Sequence, residues 1–451
     1  MGPTYAARPQ SAETSRRRAL FLRPGLPLFC FQFCGCSAAP FRLTQHPTVA
    51  IIGGGPSGLL AAQHLAEAGV PGVAVYEAQA TPGRKFLVAG HGGFNLTNGE
   101  PAAHFGPRYG ARQPEFERFL AYFSPGSLRH WAADLGIATY VGSSGRVFPT
   151  PEHKPAHLLR AWLQRLEALG AQLHTRHRWL GFEGTHGLRL RDERTGTELR
   201  IEPRTTLLAL GGASWAKTGS DGQWVPLLAD IGVSSVPFEP ANCGAEVAWS
   251  PFFREKVGRA PLKNLALRCG PAEARGEVLL TEYGLEGTPV YALTPALRAA
   301  LRHATPAPLY LNLKPDLSPT ELQARLRQAR AGRSLPDMLR QTLKLGPPVP
   351  TLLRELATPA QLQDPAQLAQ LLQNLPVPIA GLRPLDEAIS TAGGVPFAEV
   401  DELLMLRRRP GTFVAGEMLD WEAPTGGYLL QGCFSTGAWA AQGMRQWLDK
   451  S

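Results

Sequence analysis

Residues 48–62 read Thr48-Val-Ala-Ile-Ile-Gly-Gly-Gly-Pro-Ser-Gly-Leu-Leu-Ala-Ala62, and residues 73–77 read Val73-Ala-Val-Tyr-Glu77. They form a short apolar strand, a glycine-rich turn, an Ala/Leu-rich helix and a second apolar strand that ends in an acid. In such a unit Gly53 permits the tight turn, Gly55 lets the backbone approach a pyrophosphate, and Gly58 lets the helix pack closely on the strand. The stretch therefore predicts a βαβ unit that binds a dinucleotide.

The helix start and the terminal acid support this prediction. Pro56 and Ser57 open the helix, where unpaired N–H groups and the helix dipole favour a negatively charged pyrophosphate. Glu77 lies 19 residues after Gly58, where an acid accepts hydrogen bonds from an adenosine ribose. The alternative is a glycine-rich turn in an ordinary βαβ unit.

Length and composition limit the possible classes of protein. The 451 residues suffice for two or three domains, and 44% hydrophobic with 18% charged residues is typical of a soluble globular chain. No stretch approaches the ~20 apolar residues of a membrane helix. Of the net charge of +9, residues 1–47 carry six arginines against one glutamate, which leaves +4 for the rest. We therefore expect a small-molecule substrate and neither nucleic acid nor membrane as a partner.

Residues 1–47 are predicted to be an extension, either disordered or a targeting segment. An Arg-rich start, a modestly apolar run and small residues suit a secretory or transit peptide, but Pro24 and Pro27 interrupt the run. Three of the six cysteines lie here and the others are scattered, so we expect neither a disulfide framework nor a metal site. The rest of the chain is expected to be cytoplasmic.

A long polar loop follows the first βαβ unit. Residues 81–98 read Thr81-Pro-Gly-Arg-Lys-Phe-Leu-Val-Ala-Gly-His-Gly-Gly-Phe-Asn-Leu-Thr-Asn98, a pattern that favours neither helix nor strand. Arg84 and Lys85 are candidates for contact with the pyrophosphate. Three short polar side chains are candidates for contact with a ring or a ribityl chain: Asn95, Thr97 and Asn98. The alternative is a solvated surface loop.

The middle of the chain changes from helices to strands and back. Helical periodicity covers residues 114–136 and 152–169, and strands with a hairpin turn at Thr195-Gly196 cover 171–201. A buried strand from Thr205 ends in paired glycines that should face the cofactor, Gly211 and Gly212. Residues 240–375 then alternate strand-like and Leu/Gln/Arg/Pro-rich helical segments, which predicts an inserted domain that shapes a substrate pocket.

Glycine-rich signals return near the end of the chain. Residues 412–420 read Thr412-Phe-Val-Ala-Gly-Glu-Met-Leu-Asp420, an apolar strand that runs into Gly416 and Glu417. Then come Thr425, Gly426 and Gly427 and a helix with an open first turn, which would stabilise negative charge on a reduced flavin.

Taken together and in their order along the chain, five motifs resemble those of one family of bacterial flavoproteins. They are Ile51–Gly58, Gly83–Gly90, Gly92–Asn98, Ser390–Val395 and Val414–Asp420 with Thr425–Tyr428. The family is described as aminoacetone-oxidase-like or as NAD(P)/FAD-dependent oxidoreductases, and it includes a bile-acid enone reductase. The resemblance covers about residues 48–445.

The resemblance implies an α/β fold: a glutathione-reductase-like, Rossmann-like FAD-binding domain interrupted by an inserted α+β domain. We assign the first part of the FAD-binding domain to 48–239, the substrate or cap domain to 240–375 and the C-terminal part to 376–451. The glycines of the fingerprint and Glu77 would hold the ADP half. Many relatives have Cys where this chain has Phe94, so no thiol at that position takes part in a mechanism here.

The function predicted from the sequence is FAD-dependent oxidation and reduction. A hydride from transiently bound NAD(P)H would reach the flavin and pass to a small electron-poor substrate such as a conjugated enone, or electrons would flow in reverse to oxygen. His91 and Tyr428 are the candidate proton donors because both lie in cofactor-facing motifs. The alternatives are an FAD-dependent RNA-modifying enzyme and a non-catalytic flavin-binding sensor, and the oligomeric state stays open.

Overall fold

A computed structural model describes residues 42–43, 46–88, 94–328 and 332–450. The predicted motif at His91 and the N-terminal cysteines lie outside these residues. The strands, in chain order, are β1 (Arg42–Leu43), β2 (Val49–Ile52), β3 (Val73–Glu77), β4 (Thr97–Asn98), β5 (Thr139–Val141), β6 (Arg146–Pro149), β7 (Gln172–Thr175), β8 (His177–Glu183), β9 (Gly187–Asp192), β10 (Glu198–Ile201), β11 (Thr205–Leu208), β12 (Val236–Ala241), β13 (Ala245–Val247), β14 (Ala260–Cys269), β15 (Ala272–Thr281), β16 (Gly284–Glu286), β17 (Ala307–Asn312), β18 (Leu375–Leu382), β19 (Ser390–Gly394) and β20 (Thr412–Val414).

The helices begin with proline or another good first-turn residue in most cases. They are α1 (Pro56–Glu67), α2 (Arg84–Val88), α3 (Ala102–Phe105), α4 (Gln113–Tyr122), α5 (Pro125–Asp134), α6 (Pro155–Ala168), α7 (Val225–Ala229), α8 (Pro251–Val257), α9 (Thr288–Ala292), α10 (Thr294–His303), α11 (Pro319–Arg327), α12 (Leu335–Leu343), α13 (Pro348–Leu356), α14 (Pro359–Gln363), α15 (Pro365–Gln373) and α16 (Tyr428–Leu448). None of the described helices combines the length and apolarity needed to cross a membrane.

A five-stranded parallel sheet in the order β20-β11-β2-β3-β7 lies at the centre of the first domain. Strand β2 pairs with β3 on one side and with β11 on the other, and every residue of β2 is buried. Because both faces of β2 are buried, the strand needs no polar face, which is why its sequence shows no alternation. The predicted α/β fold is confirmed.

Helices α1 and α16 pack against each other beside this sheet. A Cβ placed on Gly437 would lie 2.4 Å from the backbone oxygen of Ser57, so the two helix backbones are nearly in contact. The last helix of the chain thereby reaches the first turn of the first helix. This packing brings the C-terminal motifs to the dinucleotide-binding turn.

The inserted domain is a closed barrel in the strand order β13-β16-β15-β14-β17-β18. Its interior is filled by side chains with no exposed surface, among them Leu267, Leu309 and Val377. A six-stranded barrel of this kind encloses a packed core and leaves no room for a ligand inside. Strand β18 closes the barrel beyond residue 375, where the sequence interpretation ended the insert.

Two strands outside the barrel connect it to the first domain. Strand β12 leads into the barrel, β19 leads out of it, and the two pair in antiparallel fashion. Asn242 follows β12 with φ 54°, a left-handed conformation that asparagine tolerates. Its side-chain amide donates to Ser390 Oγ and Ala423 O, both at 2.8 Å, and accepts from Thr425 N at 3.0 Å. This residue therefore joins both connecting strands to the C-terminal loop.

Candidate functional site

The three fingerprint glycines have three different surroundings. Gly53 has φ 109°, and a Cβ there would lie 2.2 Å from Ala209 O. A Cβ on Gly58 would lie 2.1 Å from Gly53 O, whereas a Cβ on Gly55 would meet nothing within 4 Å. Gly53 and Gly58 are thus required by packing within the protein. Gly55 instead faces open space, as a glycine that lets a ligand approach the backbone should.

Helix α1 points its N-terminus into the same open space. Its N-cap is Gly55, which has no side chain to occupy the first N–H groups, and its first turn contains no acid. Gly55, Pro56 and Ser57 line a cleft at this position. Unpaired N–H groups and the positive end of the helix dipole therefore face the cleft, which suits an anion.

The cleft is built from residues far apart in sequence. Its empty space, including the part open to solvent, is about 810 Å³, within the ~300–1,000 Å³ of ligand sites. Ten residues predicted to contact the cofactor line it: Gly53, Gly55, Pro56, Ser57, Glu77, Arg84, Lys85, Gly211, Gly416 and Glu417. The structure therefore brings together the fingerprint, the ribose acid, the cationic pair and the C-terminal return.

Glu77 ends strand β3 at the edge of the cleft. Its carboxylate accepts hydrogen bonds from Gly54 N at 2.8 Å and from Gln79 N at 2.7 Å. Burial raises the pKa of Glu77, while these two backbone bonds and the more distant Arg178 and Arg84 oppose the rise. The bonds fix the carboxylate beside the fingerprint turn, where the prediction places the ribose.

A polar network crosses the cleft beyond the fingerprint. Lys85 Nζ donates to Glu417 Oε2 and to Ser214 Oγ, each at 2.8 Å. Glu417 Oε1 in turn accepts from the backbone N of Thr391 at 3.2 Å. The network joins α2, the loop after β11, β19 and the Gly416 turn. It therefore fixes the segments that would surround the middle of an extended cofactor.

Other predicted contacts lie behind the cleft lining. Thr97 Oγ1 donates to Gln431 Oε1 at 2.7 Å, and Asn98 Nδ2 donates to Gly426 O at 3.1 Å. A Cβ on Gly427 would lie 2.3 Å from the carbonyl carbon of Thr97. The predicted residues that do not line the cleft are Gly58, Asn95, Thr97, Asn98, Gly212, Thr425, Gly426 and Gly427. Thr97 and Asn98 thus tie the loop to the C-terminal turn, and their direct contact with FAD stays a prediction.

The two candidate proton donors differ in what the structure says of them. His91 lies outside the described residues. Tyr428 does not line the cleft, and its ring lies under the guanidinium of Arg108, 5.4 Å from Cζ to the ring centroid. Burial first and a hydrogen bond with Glu100 second raise the pKa of its hydroxyl. A role for Tyr428 in proton transfer stays a prediction.

Phe94 is the position at which the family resemblance implies a cysteine in many relatives. It is buried, and its ring meets that of Phe86 edge to face with centroids 4.7 Å apart. Phe86 lines the cleft. Phe94 therefore supports the wall of the cleft through an aromatic contact.

Several residues that line the cleft were not predicted as cofactor contacts from the sequence, among them His177, Trp179, Ser220 and Cys433. The first two lie on strand β8 and the third in the loop after β11, none within a recognisable motif. Cys433 lies in the first turns of α16, and burial raises the pKa of its thiol to about 12, so it is an un-ionised wall residue. The only sequence signal was its place just after the Thr425–Tyr428 motif.

The cleft also contains buried polar atoms that lack hydrogen-bond partners among the described residues. They are Arg84 Nε, Trp179 Nε1 and Ser220 Oγ, all on residues that line the cleft. Buried polar groups without partners are rare because they are costly, and a ligand that accepts hydrogen bonds would satisfy them. Together with the open space at Gly55 and the helix N-terminus, these atoms make the cleft fit FAD.

A second crevice lies between the first domain and the barrel. It is bordered by Pro107–Arg112, by Asn242, by Tyr291 and Pro295 of the insert and by residues 420–424. The segments that border it also reach the cleft: Glu417 lines the cleft, and Thr391, which donates to Glu417, precedes the crevice residue Ala392. The crevice lies at a domain interface, where pockets preferentially form, and its use as the substrate pocket stays a prediction.

Comparison with protein families settles the family. A model described as the HI0933-like protein Rossmann domain matches residues 47–443. The chain belongs to the HI0933-like family. Together with its fold and its cleft, this membership makes the chain an FAD-dependent oxidoreductase, as the sequence predicted.

Individual relatives are more distant. The chain is similar to the 3-dehydro-bile acid delta(4,6)-reductase of Clostridium scindens, with 27% identity over 411 residues, 86% of this chain and 97% of that protein. Its fold is similar to that of the E. coli quinol fumarate reductase subunit FrdA, with TM-score 0.50, 16% identity and coverage of 91% of this chain and 72% of that one. The 3-ketosteroid delta1-dehydrogenase of Sterolibacterium denitrificans gives TM-score 0.50, 12% identity and coverage of 89% and 100%. These two structures support the fold alone.

Proposed function

We propose that this protein is an FAD-dependent reductase of conjugated enones and that its substrates are 3-oxo steroids of the bile-acid type. The observation that carries the proposal is the similarity to the Clostridium scindens reductase, which extends over 97% of that protein. Because the similarity covers 86% of this chain, it includes the inserted domain as well as the FAD-binding domain. The part of the chain expected to select the substrate is therefore included in the similarity.

The cofactor cleft suits the FAD half of this function. Bound FAD would supply hydride transfer at its flavin ring. The helix α1 N-terminus and Arg84 would hold the pyrophosphate, and Glu77 would hold the adenosine ribose. Lys85 and Glu417 would fix the segments around the ribityl chain through their 2.8 Å ion pair.

The crevice between the domains suits a flat apolar substrate. Aromatic and proline side chains form part of its lining, among them Tyr109, Trp421, Pro295 and Pro424. Such side chains provide large, rigid contact surfaces for fused rings. A site at the domain interface would also shield the reacting atoms from water, which strengthens every electrostatic interaction inside it.

We further propose that NADH or NADPH delivers the electrons. The sequence carries one dinucleotide fingerprint, and the cleft that contains it fits FAD. A nicotinamide donor would therefore bind transiently. We expect it to leave before the steroid enters, which would give ping-pong kinetics.

Anaerobic spectroscopy tests the proposal. The purified protein should show flavin absorbance that NADH or NADPH bleaches and that a 3-oxo-4-ene steroid restores. The matched control is the corresponding saturated 3-oxo steroid, which should restore no absorbance because it has no conjugated double bond to accept a hydride. Restoration by oxygen alone, with every enone inactive, would contradict the enone assignment and favour the oxidase direction.

A further inference from the structure

The polar side chains of the crevice between the domains are nearly all engaged within the protein. Tyr109 donates its hydroxyl proton to Tyr428 O at 2.8 Å, and Trp421 Nε1 donates to Gly416 O at 2.8 Å. The Asn242 amide uses both donors and its acceptor in the bonds that join the connecting strands. None of these three groups has a proton left for a ligand.

The charged side chains of the crevice are also paired. Arg112 Nη2 lies 2.7 Å from Asp420 Oδ2, and Glu422 accepts from Arg298 of the insert at 2.6 Å. Arg108 donates through Nε and Nη2 to the carboxylate of Glu100 at 3.0 and 2.7 Å. The remaining carboxylate, Glu273, is exposed at the rim and would act only as an acceptor when ionised.

Among the uncharged donors that line this crevice, Tyr291 differs from Tyr109, Asn242 and Trp421. It lies on α9 of the insert, is half-buried and lines the crevice. Its hydroxyl makes no hydrogen bond to an acceptor among the described residues, and the nearby backbone N–H of Gly287 acts to lower its pKa. Burial first and the Glu286 carboxylate second raise the pKa of this hydroxyl, so it keeps its proton at neutral pH. Tyr291 therefore has a hydrogen-bond donor available to a ligand.

We infer that the Tyr291 hydroxyl donates a hydrogen bond to the ketone oxygen of the substrate. The inference rests on the proposed function and adds a residue that binds the reacting carbonyl. In an enone reduction the β-carbon gains a hydride, and the alkene π pair forms a new π bond between the α-carbon and the carbonyl carbon. The carbonyl π pair moves onto the oxygen to give an enolate, which reverts to the ketone when the α-carbon is protonated. That proton comes from solvent, and the hydride donor is oxidised by two electrons. A donor at that oxygen stabilises the charge that develops there.

Equilibrium binding tests the contact without any turnover. The ligands are a saturated 3-oxo bile acid and the same bile acid without the 3-oxo group, titrated calorimetrically into the FAD-loaded full-length protein. Tyr291→Phe should weaken binding of the 3-oxo ligand about three- to tenfold, because one hydrogen bond is lost, and should leave binding of the other ligand unchanged.

Tyr283→Phe is the matched control variant. Tyr283 is also half-buried in the insert, but its hydroxyl donates to Glu286 and it does not line the crevice. Removal of its hydroxyl should affect the two ligands equally. In stopped-flow kinetics, Tyr291→Phe should slow reoxidation by the enone about a hundredfold and leave bleaching by NAD(P)H unchanged.

The results of these experiments distinguish failure of the Tyr291 inference from failure of the proposed function. Equal loss of affinity for both ligands, or none for the 3-oxo ligand, would overturn the role of Tyr291 while enone turnover by the wild type stands. A wild-type protein that neither binds the 3-oxo ligand nor reduces any enone would overturn both. Selective loss with the 3-oxo ligand in Tyr291→Phe supports the inference, and thermal melting of each variant verifies that it is folded.

Discussion

Gly55 and Gly58 lie three residues apart in the fingerprint and predict opposite outcomes for the same substitution. Gly58→Ala places a Cβ 2.1 Å from Gly53 O, so the overpacking should cost about 1–3 kcal/mol of stability. Gly55→Ala meets nothing within 4 Å and should fold normally, but its methyl group enters the space expected for the pyrophosphate. Thermal melting and FAD titration check the pair, and wild-type FAD affinity in Gly55→Ala would contradict the placement.

Two tryptophans allow a similar comparison of buried N–H groups that have no hydrogen-bond partner among the described residues. Trp179 and Trp162 both have buried indole N–H groups without partners among the described residues, but only Trp179 lines the cleft. Trp179→Phe should weaken FAD binding by about threefold or more, because the ligand loses a donor. Trp162→Phe should leave the FAD-binding donors unchanged, since Trp162 does not line the cleft. Fluorescence titration of apoprotein with FAD distinguishes them, and equal effects would remove Trp179 from the site.

A site residue could be predicted from the sequence when it lies in a short motif with a characteristic spacing. The fingerprint glycines, Glu77, Arg84 and Lys85 follow one another within 35 residues, and each type has a mechanical or electrostatic reason for its spacing. Trp179 and Tyr291 carry no such spacing. They reach their positions only because strand β8 and helix α9 are placed by pairings that the local sequence does not specify.

Asn242 allows a prediction at the scale of the elements that it joins. Asn242→Asp keeps the shape and the acceptor for Thr425 N, but places an oxygen opposite Ala423 O in place of the donor Nδ2. At neutral pH the variant should lose about 1–3 kcal/mol, the cost of an unsatisfied buried group. Urea unfolding at pH 7 measures the loss against the wild type.

The sign of the pH dependence distinguishes this explanation from a general loss of packing. The introduced carboxyl should have a raised folded-state pKa, because burial and the facing carbonyl favour its protonated form. The folded state then binds more protons than the unfolded state, so stability falls as pH rises through the window between the two pKa values. The deficit of Asn242→Asp should therefore shrink at pH 5, and a deficit independent of pH would contradict the donor–acceptor account.

The sequence predicted that an inserted domain is present more readily than it predicted the residue at which this domain ends. Strand β18 pairs with β13, joining Ala245 to Leu382 across the whole insert. No local pattern indicates such a pairing, and residue 375, the predicted end of the insert, is the residue at which β18 begins. The parallel sheet was easier to predict because its strands are continuous apolar runs bounded by glycine.

On the scale of the whole molecule, two separate hydrophobic cores are joined by polar contacts and by the paired strands β12 and β19. One core surrounds the parallel sheet, and the other is formed by the barrel and the helices of the insert. Arg298 of α10 bridges them: its guanidinium contacts Glu422 at 2.6 Å, Pro240 O at 3.0 Å and Glu239 at 3.4 Å. This side chain is only 13% exposed, so the ion pairs are shielded enough to couple the two regions.

Arg298→Ala should uncouple the barrel from the cofactor. FAD at about 100 times its dissociation constant adds ~2.7 kcal/mol to a domain that binds it, and the barrel receives part of this stabilisation only through the contacts between the regions. Hydrogen exchange should therefore slow on FAD binding in both β2 and β14 of the wild type, but in β2 alone for Arg298→Ala. Arg302→Ala is the control because Arg302 is 62% exposed and pairs with Glu239 without contacting Glu422. If Arg298→Ala kept the protection of β14, the coupling would have to run through the β12–β19 pair and the Asn242 amide instead.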